Sequence, residues 1–336
     1  MRHIILLIPL ITISVSCHNG HEEENDINLN EISQTDLTFS EKDTLHNFSK
    51  FGDFLTNGRL IIGNDFYFDY NDNKSLSLFQ FNSLTTKRMI EHNDNGPLEL
   101  STRNGIVDVL VRGNHASVRS YDLKSIFKGK TVLLDSLSIG NADHVAITDS
   151  IIFTSDPHNK NIICIYNKKG KPVASFDPFN NALQYIKDSD KQYIVGQGYL
   201  IYNEHSKLLV YATIYTGDIF IYSIKGHSWR PFKHIRLDNA PNLDDFKTFY
   251  VNKETMIYSK SGCTYASNIF LLIKNSSITD NISPYYILCI DKNGNISSNK
   301  AKINARYIRV IGDTLYTIGS KNSKAYHLYS SKINSK

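Results

Sequence analysis

The chain has 336 residues, 41% of them hydrophobic, and a net charge of +4; that is enough apolar material for a sizeable core. The positive excess is small and scattered along turns, which argues against a nucleic-acid partner. The 20 Tyr and 17 Phe, set against 1 Trp and 3 Met, suit pleated, half-buried surfaces better than helices, and no long helical pattern follows the first 16 residues.

Met1 to Ser16 begins with Arg2 and His3, continues as an apolar run from Ile4 to Ile13 and ends on the small residues Ser14 and Ser16. The run is too short to span a bilayer, so residues 1–16 read as a cleaved secretory signal. The ending S-V-S-C resembles a bacterial lipoprotein signal, although Ser14 stands where Leu is commonest. That resemblance implies that Cys17 is diacylated and becomes the new N-terminus. It also implies anchoring to the outer membrane, on its periplasmic or cell-surface face. Residues 17–34 are polar and acidic, with H-N-G-H-E-E-E-N-D directly after Cys17, and read as a disordered tether. An acidic cluster at this position resembles the surface-export signal of Bacteroidetes lipoproteins; a solvated linker is the alternative.

From about residue 60 onward one phrase recurs, an aromatic-rich strand followed by a Lys/Gly turn. Its anchors lie near Phe81, Tyr121, Tyr166, Tyr222, Ile290 and Tyr329, spaced by about 40 to 70 residues where a four-stranded blade needs about 40 to 50. Most are preceded by a partner strand, such as V-A-I-T-D-S-I-I-F-T or S-N-I-F-L-L-I-K. Each phrase is one antiparallel sheet that cannot hide both faces alone, and radial packing solves that problem. The pattern predicts an all-β, six-bladed β-propeller over residues 35–332, with four antiparallel strands per blade. Asn293-Gly294 is the strongest hairpin signal, with positive φ expected at both positions; Gly312-Asp313 repeats it. The last phrase supplies only three strands, near Tyr307–Ile311, Leu315–Ile318 and Ala325–Tyr329. The fourth is expected from the N-terminal segment Thr35–Ser40, where Leu37 and Phe39 alternate with polar residues, so that an N-terminal strand closes the last blade.

Between the first two phrases lies H-N-D-N-G-P-L-E-L. Here the chain resembles the TolB-like six-bladed β-propeller family of Bacteroidetes lipoproteins, which carries G-x-G-P-x-E after its first blade. Gly96, Pro97 and Glu99 match, while Asp94 replaces the first Gly. The late Y-Y-I-L-C-I-D-K-N-G-N looks like that family's closing hairpin. The resemblance implies a fold and a location; ligands in the family are largely unassigned. Glu99 is either a ligand or acid/base carboxylate, or a group that ties down the turn by accepting backbone N–H bonds.

Nucleophile and phosphate-binding signatures are missing from the sequence. Asp143 with His144, and Asp156 with His158, could ligate a metal near a propeller axis, or they could serve their own turns. Trp229 and Arg230 could form an aromatic and cationic lip for sugar or peptide contacts, or plug a long loop onto its blade. Cys164, Cys263 and Cys289 fit no zinc spacing; the first and last sit in apolar strands where a thiol packs as a small hydrophobe, and one disulfide among the three stays open. The expectation is a monomeric, non-catalytic binding or interaction module for a protein, peptide or glycan, with no catalytic residue, metal or cofactor. The alternative is a metal-dependent propeller hydrolase or lyase, which needs three or more Asp, Glu, Asn or His side chains converging from different blades.

Overall fold

The computed structural model describes residues 24–32, 37–45, 51–56, 60–65, 74–80, 86–92, 98–111, 113–280, 283–301, 303–320 and 326–333. Two strands come first, β1 (Glu24–Ile27) and β2 (Ser40–Leu45). Antiparallel meanders follow. The first is β3 (Phe51–Thr56), β4 (Leu60–Asp65), β5 (Lys74–Gln80) and β6 (Thr86–His92). The next is β7 (Leu98–Arg103), β8 (Ile106–Val111), β9 (Gly113–Asp122) and β10 (Leu133–Ala142), and then β11 (His144–Ile147), β12 (Ile151–Ser155), β13 (Ile163–Asn167) and β14 (Pro172–Phe176). These are succeeded by β15 (Gly198–Asn203), β16 (Leu208–Thr213), β17 (Asp218–Lys225) and β18 (Ser228–Leu237). The last full meander is β19 (Met256–Tyr265), β20 (Asn268–Ser277), β21 (Tyr285–Ile290) and β22 (Ile296–Ala301); β23 (Asn304–Ile311), β24 (Thr314–Ser320) and β25 (Tyr326–Lys332) end the chain.

The first strands β3, β7, β11, β15, β19 and β23 neighbour one another in turn, and β23 returns to β3. This is an all-β propeller with four-stranded antiparallel blades. The expected six four-stranded blades are corrected to five, because the sheet of β15 to β18 has five strands, β1 adding in parallel to the outer edge of β18. The anchors Tyr121, Tyr166, Tyr222, Ile290 and Tyr329 all fall on third strands, which are covered by a strand on either side; Phe81 lies outside the described residues. Core clusters form between neighbouring blades. Phe153 and Tyr211, for example, pack between the β11–β14 and β15–β18 blades, and Val210 and Leu271 between the latter and the β19–β22 blade.

The N-terminal strand does close the last blade, with a shifted register. β2 pairs antiparallel with β25 from Ser40 opposite Ser330 to Leu45 opposite Tyr326, so the ladder begins where the expected segment Thr35–Ser40 ends. Leu37 and Phe39 leave the ladder and pack into the core with Ile308 and Tyr329, because burial satisfies an apolar side chain without strand pairing. Residues 33–36 lie outside the described residues. The outermost position is filled instead by the polar S-E-K-D-T-L, the composition an edge strand tolerates.

The disordered tether at 17–34 is also corrected. Residues 17–23 lie outside the described residues, but Glu24–Ile27 is a strand and Leu29 is 1% exposed. Ser298 Oγ donates to the Leu29 carbonyl at 3.1 Å, and Tyr286 Oη donates to Asn30 Oδ1 at 2.9 Å. Ile27, Leu29 and Ile32 give this otherwise polar stretch enough to bury against the core. The segment thus runs as a strap from β18, past the β19–β22 blade, to the closing blade.

At the predicted Asn293-Gly294 hairpin only Gly294 has positive φ, 74°. The Asp291 carboxylate accepts the N–H groups of Asn293 and Asn295 at 2.8 and 2.9 Å, so an Asp-capped turn replaces the expected two-residue one.

Candidate functional site

In a ring of meanders the first strands face the axis, so their side chains decide what the centre can hold. An axial cavity of about 300 Å³ is lined by Leu55 of β3, Glu99 to Arg103 of β7, Val145 to Ile147 of β11, Leu200 to Asn203 of β15, Gly262 to Thr264 of β19, and Arg309 with Val310 of β23. Asn104, Thr148, Glu204 and His205, on the turns that follow three of these strands, complete one end.

Arg309 crosses the axis. Its Nη1 donates to the Gly262 carbonyl at 2.8 Å and its Nη2 to the Leu100 carbonyl at 3.0 Å, joining β23 to β19 and β7. Arg103 lies lower on β7, where its Nε donates to Asp108 Oδ2 at 2.8 Å and its Nη1 to Asp149 Oδ1 at 2.7 Å. Burial works against the Arg103 charge, but the two carboxylates hold the guanidinium above its ordinary value; the hydrogen bond from Arg103 holds Asp149 low in return. On β15, where its ring packs on Phe153 with centroids 4.7 Å apart, burial and then the Glu204 carboxylate push the Tyr202 phenol up to about 12, so it is not a phenolate at neutral pH.

The structure brings two of the predicted residues together. Glu99 Oε1 lies 3.1 Å from His144 Nδ1, and Glu99 Oε2 accepts the Val145 N–H at 3.1 Å. The carboxylate therefore fastens β7 to β11, the N–H-accepting role weighed from sequence, although across blades and not within its own turn. Gly96, Pro97 and Cys17 lie outside the described residues. His158 stacks on Tyr193, with centroids 4.2 Å apart. Asp156 accepts the His158 N–H and the Asn159 side-chain amide, and burial pushes its carboxyl up; it is a turn group. Trp229 stacks on Phe176 of the preceding blade at 4.1 Å, and Arg230 is exposed beside it on β18. Both stand on the outer rim. Cys164, Cys263 and Cys289 are free thiols; Cys164 and Cys289 are half-buried, and burial raises both, Cys289 to about 11. Among the described residues no three or more His, Cys, Asp or Glu side chains gather to hold a metal.

Sequence reasoning missed Arg309 and Arg103. The signal for Arg309 was a guanidinium inside an apolar strand, Y-I-R-V-I; for Arg103 it was the turn R-N-G, with Asn104 and Gly105 at φ of 44° and 78°.

Among the described residues no helix is long and apolar enough to cross a membrane. No family model matches the chain, and no curated protein matches it by sequence. Among solved structures it is similar to a Bacteroides fragilis protein assigned as exported, with TM-score 0.55 and 10% identity over 92% of this chain and 99% of that one. It is also similar to a protein of unknown function from Bacteroides thetaiotaomicron, with TM-score 0.51 and 10% identity over 91% and 74% of the two chains. A third is a Bacteroides uniformis protein assigned as a 6-phosphogluconolactonase, with TM-score 0.51 and 12% identity over 88% and 82%. At these identities the likeness is one of fold.

Proposed function

We propose that the protein is a lipid-anchored envelope β-propeller of the TolB-like kind, exported to the outer membrane, whose axial cavity binds a small polar ligand without catalysis. On this reading the five-stranded sheet completes a six-bladed ring and the protein is a monomer. The observation that carries the reading is the cavity itself. At about 300 Å³ it has the size of a small-ligand site, and polar residues line it from first strands and their turns, Ser101, Thr102, Glu204, His205 and Thr264 among them. Of the partner classes expected from sequence, a glycan unit fits that volume. The candidate acid/base group, Glu99, has both oxygens engaged in joining two blades. Although Glu99, Asn104, Asn203, Glu204 and His205 line the cavity, no three His, Cys, Asp or Glu side chains among the described residues gather to hold a metal, so the non-catalytic reading is preferred.

The test is thermal unfolding of the purified protein against monosaccharides, aldonic acids and amino acids, followed by calorimetry on any compound that raises Tm. Thr264→Trp, which fills the cavity from an exposed wall position, should abolish the shift while the unliganded protein melts as before. A compound at a hundredfold excess over its Kd stabilises by about 2.7 kcal/mol. Shifts that survive Thr264→Trp would remove the cavity from the proposal, and turnover of the bound compound would end the non-catalytic reading.

A further inference from the structure

The outer edge of the β15–β18 blade holds the attachment of the N-terminal strap and, beside it, an exposed aromatic and basic strip. β1 is parallel to β18, with Glu24 opposite His234 and Ile27 opposite Leu237. The strap is therefore entered from the Ser228 end of β18. Among the described residues no strand lies on the outer side of that half of β18, S-W-R-P-F-K, in which Trp229 and Phe232 are 36% and 41% exposed. Cys17 stands seven positions before Glu24, a span of at most about 25 Å for an extended chain.

The same character continues around the rim. In the β7–β10, β11–β14 and β15–β18 blades the turns joining third to fourth strands leave at one end, since adjacent meanders start at the axis in the same sense. Neighbouring blades meet here: a Cβ on Gly170, in the turn before β14, would stand 3.1 Å from Leu137 of β10, Leu134 and Lys168 line one cavity, and Trp229 at the start of β18 stacks on Phe176 at the end of β14. Three such segments in consecutive blades read K-G-K-T-V-L-L (128–134), N-K-K-G-K-P-V (167–173) and K-G-H-S-W-R-P-F-K (225–233). They hold two, three and three Lys or Arg and no Asp or Glu; all these cations but Lys233 are exposed. The apolar residues among them, Val132 to Leu134, Val173, Trp229 and Phe232, are between 36% and 54% exposed. Carboxylates return at Asp135 and on the inner turns, at Asp149, Glu204 and Asp313, so the basic apolar surface is one arc of the rim and not the whole end of the propeller.

We propose that this arc, on the β7–β10, β11–β14 and β15–β18 blades, is a docking surface that seats on an anionic phospholipid layer beside the lipid anchor. The chemistry is that of an interfacial surface: aromatic and aliphatic side chains enter the headgroup region while lysines meet anionic lipid. The inference rests on the reading of Cys17 as the lipidated residue.

The test uses the mature chain 17–336 carrying Cys17→Ser, which keeps every described residue and has no acyl group. It is floated with vesicles of phosphatidylglycerol and phosphatidylcholine mixed, or of phosphatidylcholine alone. The expected result is binding to the anionic vesicles at least tenfold tighter than to the neutral ones. A Lys168→Glu, Lys169→Glu, Lys171→Glu variant should lose at least tenfold, and Leu133→Ser with Leu134→Ser should also weaken binding, both with unchanged melting. No vesicle binding, or equal binding by the charge-reversed variant, overturns the proposal. So does a dimer in light scattering that the same substitutions dissolve without any vesicle effect, since a second copy would then be the occupant. Acyl-label incorporation into the wild-type protein reads the anchor separately. A labelled protein whose Cys17→Ser form ignores vesicles defeats the docking surface alone, and an unlabelled protein that binds them defeats the anchor alone.

Discussion

Arg309 and Leu100 are 209 residues apart in sequence, yet the guanidinium of the first donates to the carbonyl of the second at 3.0 Å across the propeller axis. With its bond to the Gly262 carbonyl, one side chain ties together three first strands. The planar five-donor fork can serve several carbonyls at once, which a lysine ammonium cannot do in the same geometry. Arg309→Met should cost about 2–4 kcal/mol by stranding buried carbonyls, and Arg309→Lys should recover only part of it. Urea unfolding measures both; a Met variant as stable as the parent would show that the tie is incidental.

Glu99 makes a parallel case on the β7 to β11 seam. Glu99→Ala leaves the Val145 N–H and His144 Nδ1 without their acceptor and should cost about 1–3 kcal/mol, while Glu99→Gln, which keeps one carbonyl oxygen, should cost less. Thermal unfolding separates the two roles of this residue. If Glu99→Gln melts with the parent but loses ligand affinity, Glu99 is a ligand group and its place in the seam is secondary.

What could be read from the sequence was whatever repeats. Third strands such as I-I-C-I-Y and Y-I-L-C-I are covered on both sides within their blades, so they are apolar and visible, and all five described anchors fell on them. First strands line a polar cavity and carry Ser, Thr, Asn and Arg, which blurs their signal, and fourth strands such as S-W-R-P-F-K are exposed and irregular. That is why the closing strand was misplaced. T-D-L-T-F-S alternates as a strand should, but its two apolar residues were claimed by the core, and the ladder fell to S-E-K-D-T-L, which has no alternation to detect. The site followed the same logic. Glu99 was visible because it follows a Gly-Pro turn, but its partner on the next blade depends on how adjacent blades sit together, which no local pattern encodes.

Lys260 gives a pH signature. Its Nζ lies 5.7 Å from the Tyr285 ring centre, and burial, followed by the charges of Lys274 and Arg306, brings the ammonium down to about 8 from an ordinary 10.5. Between those values the unfolded chain binds the proton and the folded one does not, so this site's contribution to stability rises with pH across the window. Below about pH 8 both states are charged and the full cost remains, up to about 3 kcal/mol. Lys260→Met should therefore be more stable than the parent at pH 7, with the advantage shrinking toward pH 10. A difference between the two proteins that stays flat from pH 7 to pH 10 would rule out a lowered ammonium.

Anchoring makes a cellular prediction. Cys17→Ala should move the protein from the detergent phase to the aqueous phase and abolish labelling by a fatty-acid analogue. Unchanged partition with unchanged labelling would reject Cys17 as the acylated residue.

The N-terminal strap predicts a graded response to truncation. β1 covers part of the β18 edge, Leu29 is buried with Ile235, Leu237 and Leu288 in one cluster, and Asn30 accepts from Tyr286, so starting the chain at Asn30 should destabilise the protein. It removes a buried leucine worth about 1.5–3 kcal/mol and bares backbone groups along β18. Starting at Lys50 should cost more, because it also deletes β2, which pairs with β25 from Ser40 to Leu45, and leaves the closing blade with an open edge. Leu29→Ala in the intact chain isolates the packing part and should cost about 2–5 kcal/mol, whereas Tyr286→Phe, which loses only the bond to Asn30, should cost about 1 kcal/mol. Thermal and urea unfolding of the four proteins order them. If the Asn30 start melts with the parent, the strap contributes nothing and the propeller is held by β2 alone; if the Lys50 start does so as well, the pairing of β2 with β25 does not fasten the ring.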